Sequence, residues 1–141
     1  MPDLLPARAR DLFASARVAR LATRNARGDI DLVPVTFALV GSDTIVTAVD
    51  RKPKRTTRLQ RLANVEAHPA VTLLADHYDD ADWSALWWVR ARGVARVMNA
   101  GSELEDAVAA LVARYPQYTD AVPSGPGIVV TVESWRGWAA R

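Results

Sequence analysis

The chain predicts a mainly β, α+β domain in which six or seven mostly antiparallel strands form a small barrel with short peripheral helices, an open α+β sheet being the alternative. Three observations carry that expectation. Short β-branched runs recur between turn signals along most of the chain. Only three segments show helical spacing. The 141 residues suit one domain with one core, here 1–141 without linker or internal repeat, and closure into a barrel removes the exposed edges of so many strands.

The elements follow in order. Leu4, Leu5, Leu12 and Phe13 lie among arginines at roughly helical spacing and predict a short amphipathic helix over 6–16. Val18–Thr23 alternates, Asn25-Ala26-Arg27-Gly28-Asp29 supplies turn chemistry, and Ile30–Leu39 extends again, which predicts a hairpin. Pro34 lacks a ladder donor and so belongs on an edge, at a bulge or where a ligand comes close. Thr44–Val49 is β-branched at five of six positions and completes a three-stranded meander. A helix over Arg58–Ala67 ends at His68-Pro69, because a residue before proline avoids the helical region. Ala70–Tyr78 and Leu86–Met98 read as strands four and five, with Gly93 as a bulge or bend. Between Ser102 and Tyr115 the positions Leu104, Val108, Leu111 and Val112 form one helix face, with Ser102 as N-cap and Glu105 as its capping-box partner. Ile128–Glu133 is the sixth strand, followed by Trp135-Arg136-Gly137-Trp138.

Composition narrows the function classes. Cysteine is absent, which excludes disulfide frameworks, thiolate zinc sites and cysteine nucleophiles. No apolar run reaches the ~20 residues of a membrane span, and the N-terminal residues lack the regions of a signal peptide, so a soluble cytoplasmic protein is expected. The 16 arginines and two lysines nearly balance 16 acidic residues, leaving a formal charge of +2. That balance argues against a nucleic-acid partner, which calls for a large basic excess.

A local basic site remains. Asp50-Arg51-Lys52-Pro53-Lys54-Arg55-Thr56-Thr57-Arg58 holds both lysines of the chain and packs five cations into eight residues, between the end of a strand and the start of a helix. Helix-initial amides point outward with partial positive charge, so this segment reads as a phosphate seat. A solvated basic loop is the plain alternative, and the strand-loop-helix placement favours the seat. Trp87 and Trp88 are the second feature, since adjacent strand residues face opposite sides of a sheet and one indole must face outward. An outward tryptophan marks a subunit interface or a planar ligand.

Other candidates carry less. With only His68 and His77, no compact histidine zinc site exists, and hydrolytic metal chemistry is not expected. His68 reads as a cap or surface residue, and His77 as either a ligand contact or a structural hydrogen-bonding group. Asp79, Asp80 and Asp82 lack calcium-loop spacing and read as a solvated turn. Ser124-Gly125-Pro126-Gly127 precedes a strand and has no phosphate-loop lysine, so it is a connector.

Val18–Thr23, Val33-Pro34-Val35, Thr47-Ala48-Val49-Asp50, the Lys52-Pro53-Lys54-Arg55 loop, Arg61-Leu62-Ala63-Asn64-Val65 up to His68-Pro69, and Val71–Ala75 together resemble the pyridoxamine 5′-phosphate oxidase-like split-barrel flavoproteins (the FMN-binding split barrel). Within that superfamily, Trp87-Trp88-Val89-Arg90, Tyr115-Pro116-Gln117-Tyr118 and Trp135-Arg136-Gly137-Trp138 resemble the actinobacterial group that depends on the deazaflavin coenzyme F420. The resemblance implies a homodimer of split β-barrels with a cofactor at each subunit interface. It implies that Lys52, Lys54 and Arg55 hold phosphate, with Thr56, Thr57 and Arg58 as secondary groups. Val33, Pro34 and Val35, with Ala48, Val49 and Asp50, would line the ring, and Trp87 or Trp88 would come from the neighbouring subunit.

Members that use FMN place a serine or threonine between a Tyr-Thr-Asn-like strand end and an Arg-Lys pair, where this chain reads Ala48-Val49-Asp50-Arg51-Lys52-Pro53. Coenzyme F420 is therefore the favoured cofactor and FMN the alternative. The activity implied is hydride transfer between the reduced deazaflavin and a small unsaturated organic acceptor, needing no side-chain nucleophile. The proton would come from solvent, His77 or Tyr78. A non-catalytic flavin-, deazaflavin- or haem-binding protein is the competing expectation, with His77 as the axial ligand for haem; a ligand-free dimer whose basic loop binds another anion is a third.

Overall fold

In the computed structural model, residues 3–49 and 55–141 are described, and for 55–59 the backbone alone. The elements are α1 (Pro6–Ser15), β1 (Ala19–Arg24), β2 (Ile30–Val35), β3 (Ala38–Val40), β4 (Thr44–Ala48), α2 (Arg55–Ala67), β5 (Ala70–His77), β6 (Trp87–Met98), α3 (Ser102–Arg114) and β7 (Gly127–Ala139), with short 3-10 turns at Trp83–Ala85 and Pro116–Thr119. The seven strands make one antiparallel sheet in the order β2-β1-β5-β6-β7-β4-β3.

This order corrects the expected meander. The extended run that begins at Ile30 is two strands, and β2 and β3 are the opposite edges of the sheet although only Thr36 and Phe37 separate them. The chain breaks there because Phe37 turns its ring into the core, fully buried and 4.8 Å from Phe13. Its backbone groups leave the ladder and meet the Tyr115 hydroxyl, which lies 3.1 Å from Phe37 N and 3.0 Å from Phe37 O. The sheet therefore curls until its edges meet at one corner, and among the described residues no ladder closes it. One stitch crosses the gap: Thr47 Oγ1 donates to Thr36 O at 2.8 Å.

The main core fills the inside of this curl with Leu21, Phe37, Ile45, Leu73, Val89, Ile128 and Val130, and α1 adds Ala9 and Phe13. A second cluster lies on the other side of β4 and β7, where Val46, Ala48 and Val129 meet Ala107 and Leu111 of α3. Burial on both faces explains why β4 reads as an unbroken apolar and threonine run.

Other boundaries move for identifiable reasons. β7 runs continuously from Gly127 to Ala139, joining the expected sixth strand to the tryptophan pair, with a register shift opposite Arg92/Gly93 that leaves Glu133 unpaired. Gly93 is required there, since a Cβ would stand 2.2 Å from Thr131 O. Helix α2 starts at Arg55, inside the basic segment. At α3 the N-cap is Gly101 at φ 100°, not Ser102, and no side chain caps the helix. The expected capping box is replaced by Glu103, which pairs with Arg96 of β6 at 2.5 Å. Pro34 does sit on an edge strand. Among the described residues no helix is long and apolar enough to cross a membrane.

Candidate functional site

The gap between the end of β2 and the end of β4, where β3 no longer covers β4, holds a recess of about 210 Å³. Pro34, Val35 and Thr36 form one wall and Thr47, Ala48 and Val49 the other, with Val18 and Arg61 completing the lining. Local sequence explains the shape. Pro34 has no amide hydrogen to offer a further strand, and β3 pairs with β4 only at Thr44–Val46, so among the described residues Thr47–Val49 have no strand neighbour on that side, while the Val49 amide continues toward β7 by donating to Pro126 O at 3.1 Å. The walls thus diverge where a continuous sheet would have joined them, and small or β-branched side chains leave backbone within reach of whatever enters.

A second recess, about 510 Å³, adjoins the first and shares Arg61 with it. It runs between β2 and α2 over Ile30, Leu32, Val33, Gln60 and Asn64. Its floor is a polar network. Asn64, 2% exposed, donates through Nδ2 to Asp31 Oδ2 at 2.8 Å and to Thr23 Oγ1 at 3.1 Å, and accepts from Gln60 Nε2 at 2.7 Å. Asn25 Nδ2 reaches the other Asp31 oxygen at 3.3 Å, while its own side-chain oxygen accepts from the Arg27 and Asp29 amides. Helix α2 is therefore fixed to the β1–β2 hairpin through buried polar contacts.

Of the residues expected from sequence, Pro34, Val35, Ala48 and Val49 come together in the first recess and Val33 lines the second. Asp50, Lys52 and Lys54 lie outside the described residues. Arg55, Thr56, Thr57 and Arg58 form the start of α2, and their side chains lie outside the described set. Trp87 packs against the core, whereas Trp88, its neighbour, is on the outer face of the sheet with the Arg90 guanidinium 5.6 Å from its ring centre. Neither lines either of these two recesses. His77 is exposed at the end of β5, opposite Trp87, and the exposed Tyr78 hydroxyl is 2.8 Å from Asp80, so neither stands at the recess.

Sequence reasoning missed Thr36, Thr47, Arg61 and the Asn64 network. Thr36 follows Pro34-Val35 at the strand break, and a polar residue there was the available signal. Nothing local distinguishes Asn64 from any other helical asparagine.

The outer face of the sheet is apolar and basic together. Ile30 and Leu32 are 64% and 65% exposed, and Leu74 and Val94 are also exposed. In register beside them, Arg20, Arg90 and Arg136 project from β1, β6 and β7. Asp76 pairs with Arg20 at 3.6 Å and Asp3 with Arg136 at 2.7 Å.

Comparison with known proteins agrees with this architecture. Residues 5–139 match the family model described as pyridoxamine 5′-phosphate oxidase. No curated protein matches the chain. Among solved structures, the conserved hypothetical protein Rv2991 from Mycobacterium tuberculosis superposes with a TM-score of 0.78 at 21% identity, over 98% of this chain and 86% of that one. An FAD binding protein from Mycobacterium smegmatis gives 0.67 at 20% identity, over 98% and 97% of the two chains. A heme binding protein from the same organism gives 0.73 at 25% identity, over 94% of this chain and 53% of that one.

Proposed function

Because the chain belongs to the pyridoxamine 5′-phosphate oxidase family, we propose that it binds a phosphorylated redox heterocycle in the gap between β2 and β4 and works as an oxidoreductase, with coenzyme F420 as the cofactor and FMN as the alternative. One observation carries this reading: the recess walled by Pro34–Thr36 and Thr47–Val49 is lined by Val49 and by Arg61 of α2, the two residues that bracket in sequence the stretch that concentrates the chain's cations. A flat ring fits between two diverging backbones, and its anionic tail reaches a basic helix start.

The residues fit such a group. The recess walls are aliphatic, with Thr36 and Thr47 as polar points, the usual composition of a site that holds an aromatic ligand in one orientation. When bound, a reduced deazaflavin supplies a hydride from C5 to an unsaturated acceptor, whose proton comes from solvent. The chain's part is to bind, orient and exclude water. Lys52, Lys54 and Arg55 hold the phosphate, the β2 and β4 backbones set the ring plane, and positioning alone contributes several kcal/mol, as an order of magnitude.

At about 210 Å³ the first recess is smaller than the ~300 Å³ at which self-contained ligand pockets begin. A second copy of the chain completes it in this reading, with Trp88 supplied across a homodimer interface made by the outer sheet face. The exposed Ile30, Leu32, Leu74 and Val94 support that surface as a contact. Haem is the weaker alternative, because His77 stands away from both recesses.

Titrating the purified protein with F420 and with FMN, followed by an acceptor screen with the tighter one, tests the proposal. Sub-millimolar binding and acceptor-dependent reoxidation are expected. Failure of both cofactors to bind would remove it.

A further inference from the structure

The Thr36 hydroxyl is held by a tyrosine from a distant part of the chain. Thr36 Oγ1 and Tyr118 Oη are 2.6 Å apart, Tyr118 lying in the turn after α3. The same threonine's carbonyl accepts from Thr47 Oγ1 across the gap. Its neighbour Phe37 is fixed by Tyr115, whose ring packs edge-on against Tyr118 at 5.7 Å. Four hydrogen bonds, two of them to the one Tyr115 hydroxyl, thus immobilise a two-residue connection on the rim of the recess. A strand-to-strand turn does not need a two-hydroxyl relay to exist. Such a relay fixes the rotamer of the hydroxyl nearer the recess and decides where its remaining proton or lone pair is aimed.

We infer that Thr36 reads the hydrogen-bonding edge of the heterocycle, a ring carbonyl or ring N–H, and that Tyr118 is its positioning residue. When Tyr118 donates to Thr36, the threonine proton is available to a carbonyl or ring nitrogen. When Thr36 donates to Tyr118, its lone pairs accept a ring N–H. Either way a planar ring with a polar edge is selected over a purely apolar one. This rests on the reading of the recess as the ring site, and it adds the ligand's recognised edge and the residue pair that recognises it.

The test is a titration of wild type, Thr36→Val, Thr36→Ser and Tyr118→Phe with FMN and with F420, recording Kd and the visible band of the bound cofactor. Thr36→Val keeps the volume and removes the hydroxyl, and about 5- to 10-fold weaker binding with a shifted band is expected. Thr36→Ser should restore both. Tyr118→Phe should give a smaller loss that disappears in the Thr36→Val background, since the two act through one bond. Wild-type affinity and an unmoved band in Thr36→Val, with wild-type binding intact, would overturn this inference alone. Absence of binding by the wild type itself would overturn the functional reading and this inference with it. If Thr36→Val does not fold, Tyr118→Phe, which leaves the ring packing in place, decides between the same two outcomes by the same Kd and band position.

Discussion

Asn64 Nδ2 stands 2.8 Å from Asp31 Oδ2 in a nearly sealed polar junction, tying the middle of α2 to the start of β2. The helix that follows the basic segment is thereby anchored to the strand that walls the recess. Asn64→Ala would strip Asp31 and Thr23 of a buried donor and leave Gln60 without its acceptor. A loss of about 1–3 kcal/mol in unfolding free energy is expected, read as a lower urea midpoint with unchanged slope. A midpoint equal to wild type would show that the junction does not fix the helix.

Gly93→Ala gives a second stability test. The added Cβ would meet Thr131 O at 2.2 Å, and the atoms crowding it are backbone of β7 in the central β6–β7 pair, which cannot swing aside as a side chain could. A loss above about 2 kcal/mol, or an insoluble product, is expected from such overpacking. Calorimetry showing a wild-type midpoint would mean that the register shift opposite Gly93 relieves the contact.

Most of the strands and helices were legible in the sequence, because β-branched alternation and proline or glycine punctuation are local signals. The break at Thr36-Phe37 was not, since it depends on Tyr115 taking Phe37's backbone groups from 78 residues away. The α3 cap was misread because Ser102-x-x-Glu105 fits a capping box as well as Gly101 does a cap, and Arg96 drew Glu103 toward β6. At the site, the stretches that the family resemblance led us to expect around a ring adjoin in space at one recess. Thr36, Arg61 and Asn64 join them only through the curl of the sheet, which no local pattern encodes.

The Arg96–Glu103 pair has a pH signature. Its hydrogen bond to the Arg96 guanidinium holds the Glu103 carboxyl below the usual glutamate range, and the same bond raises Arg96 further from titration. A depressed folded-state value means the unfolded chain binds the proton more readily, so the stabilisation is present at neutral pH and lost as pH falls through the folded value. The difference in thermal midpoint between wild type and Glu103→Gln should be small and salt-sensitive at pH 7, since the pair is exposed, and should shrink in acid. A difference that grows on acidification would contradict this.

The outer sheet face makes an assembly prediction. Leu32→Asp removes an exposed leucine and costs an isolated chain little stability, but it places a charge inside the proposed interface. Sedimentation should show a dimer for the wild type at micromolar concentration and a monomer for the variant. A monomeric wild type would contradict the shared site.

For the basic segment, Lys54→Ala with Arg55→Ala should weaken cofactor binding by about 2–3 kcal/mol, the loss expected from charge-assisted phosphate contacts. Isothermal titration giving the wild-type Kd would take that segment out of the site.

The most direct measurement is a crystal structure of the protein with F420 or FMN bound. The heterocycle should lie between Pro34–Thr36 and Thr47–Val49 with its phosphate at the start of α2. A ring seated anywhere else, with that corner of the sheet vacant, would contradict the account.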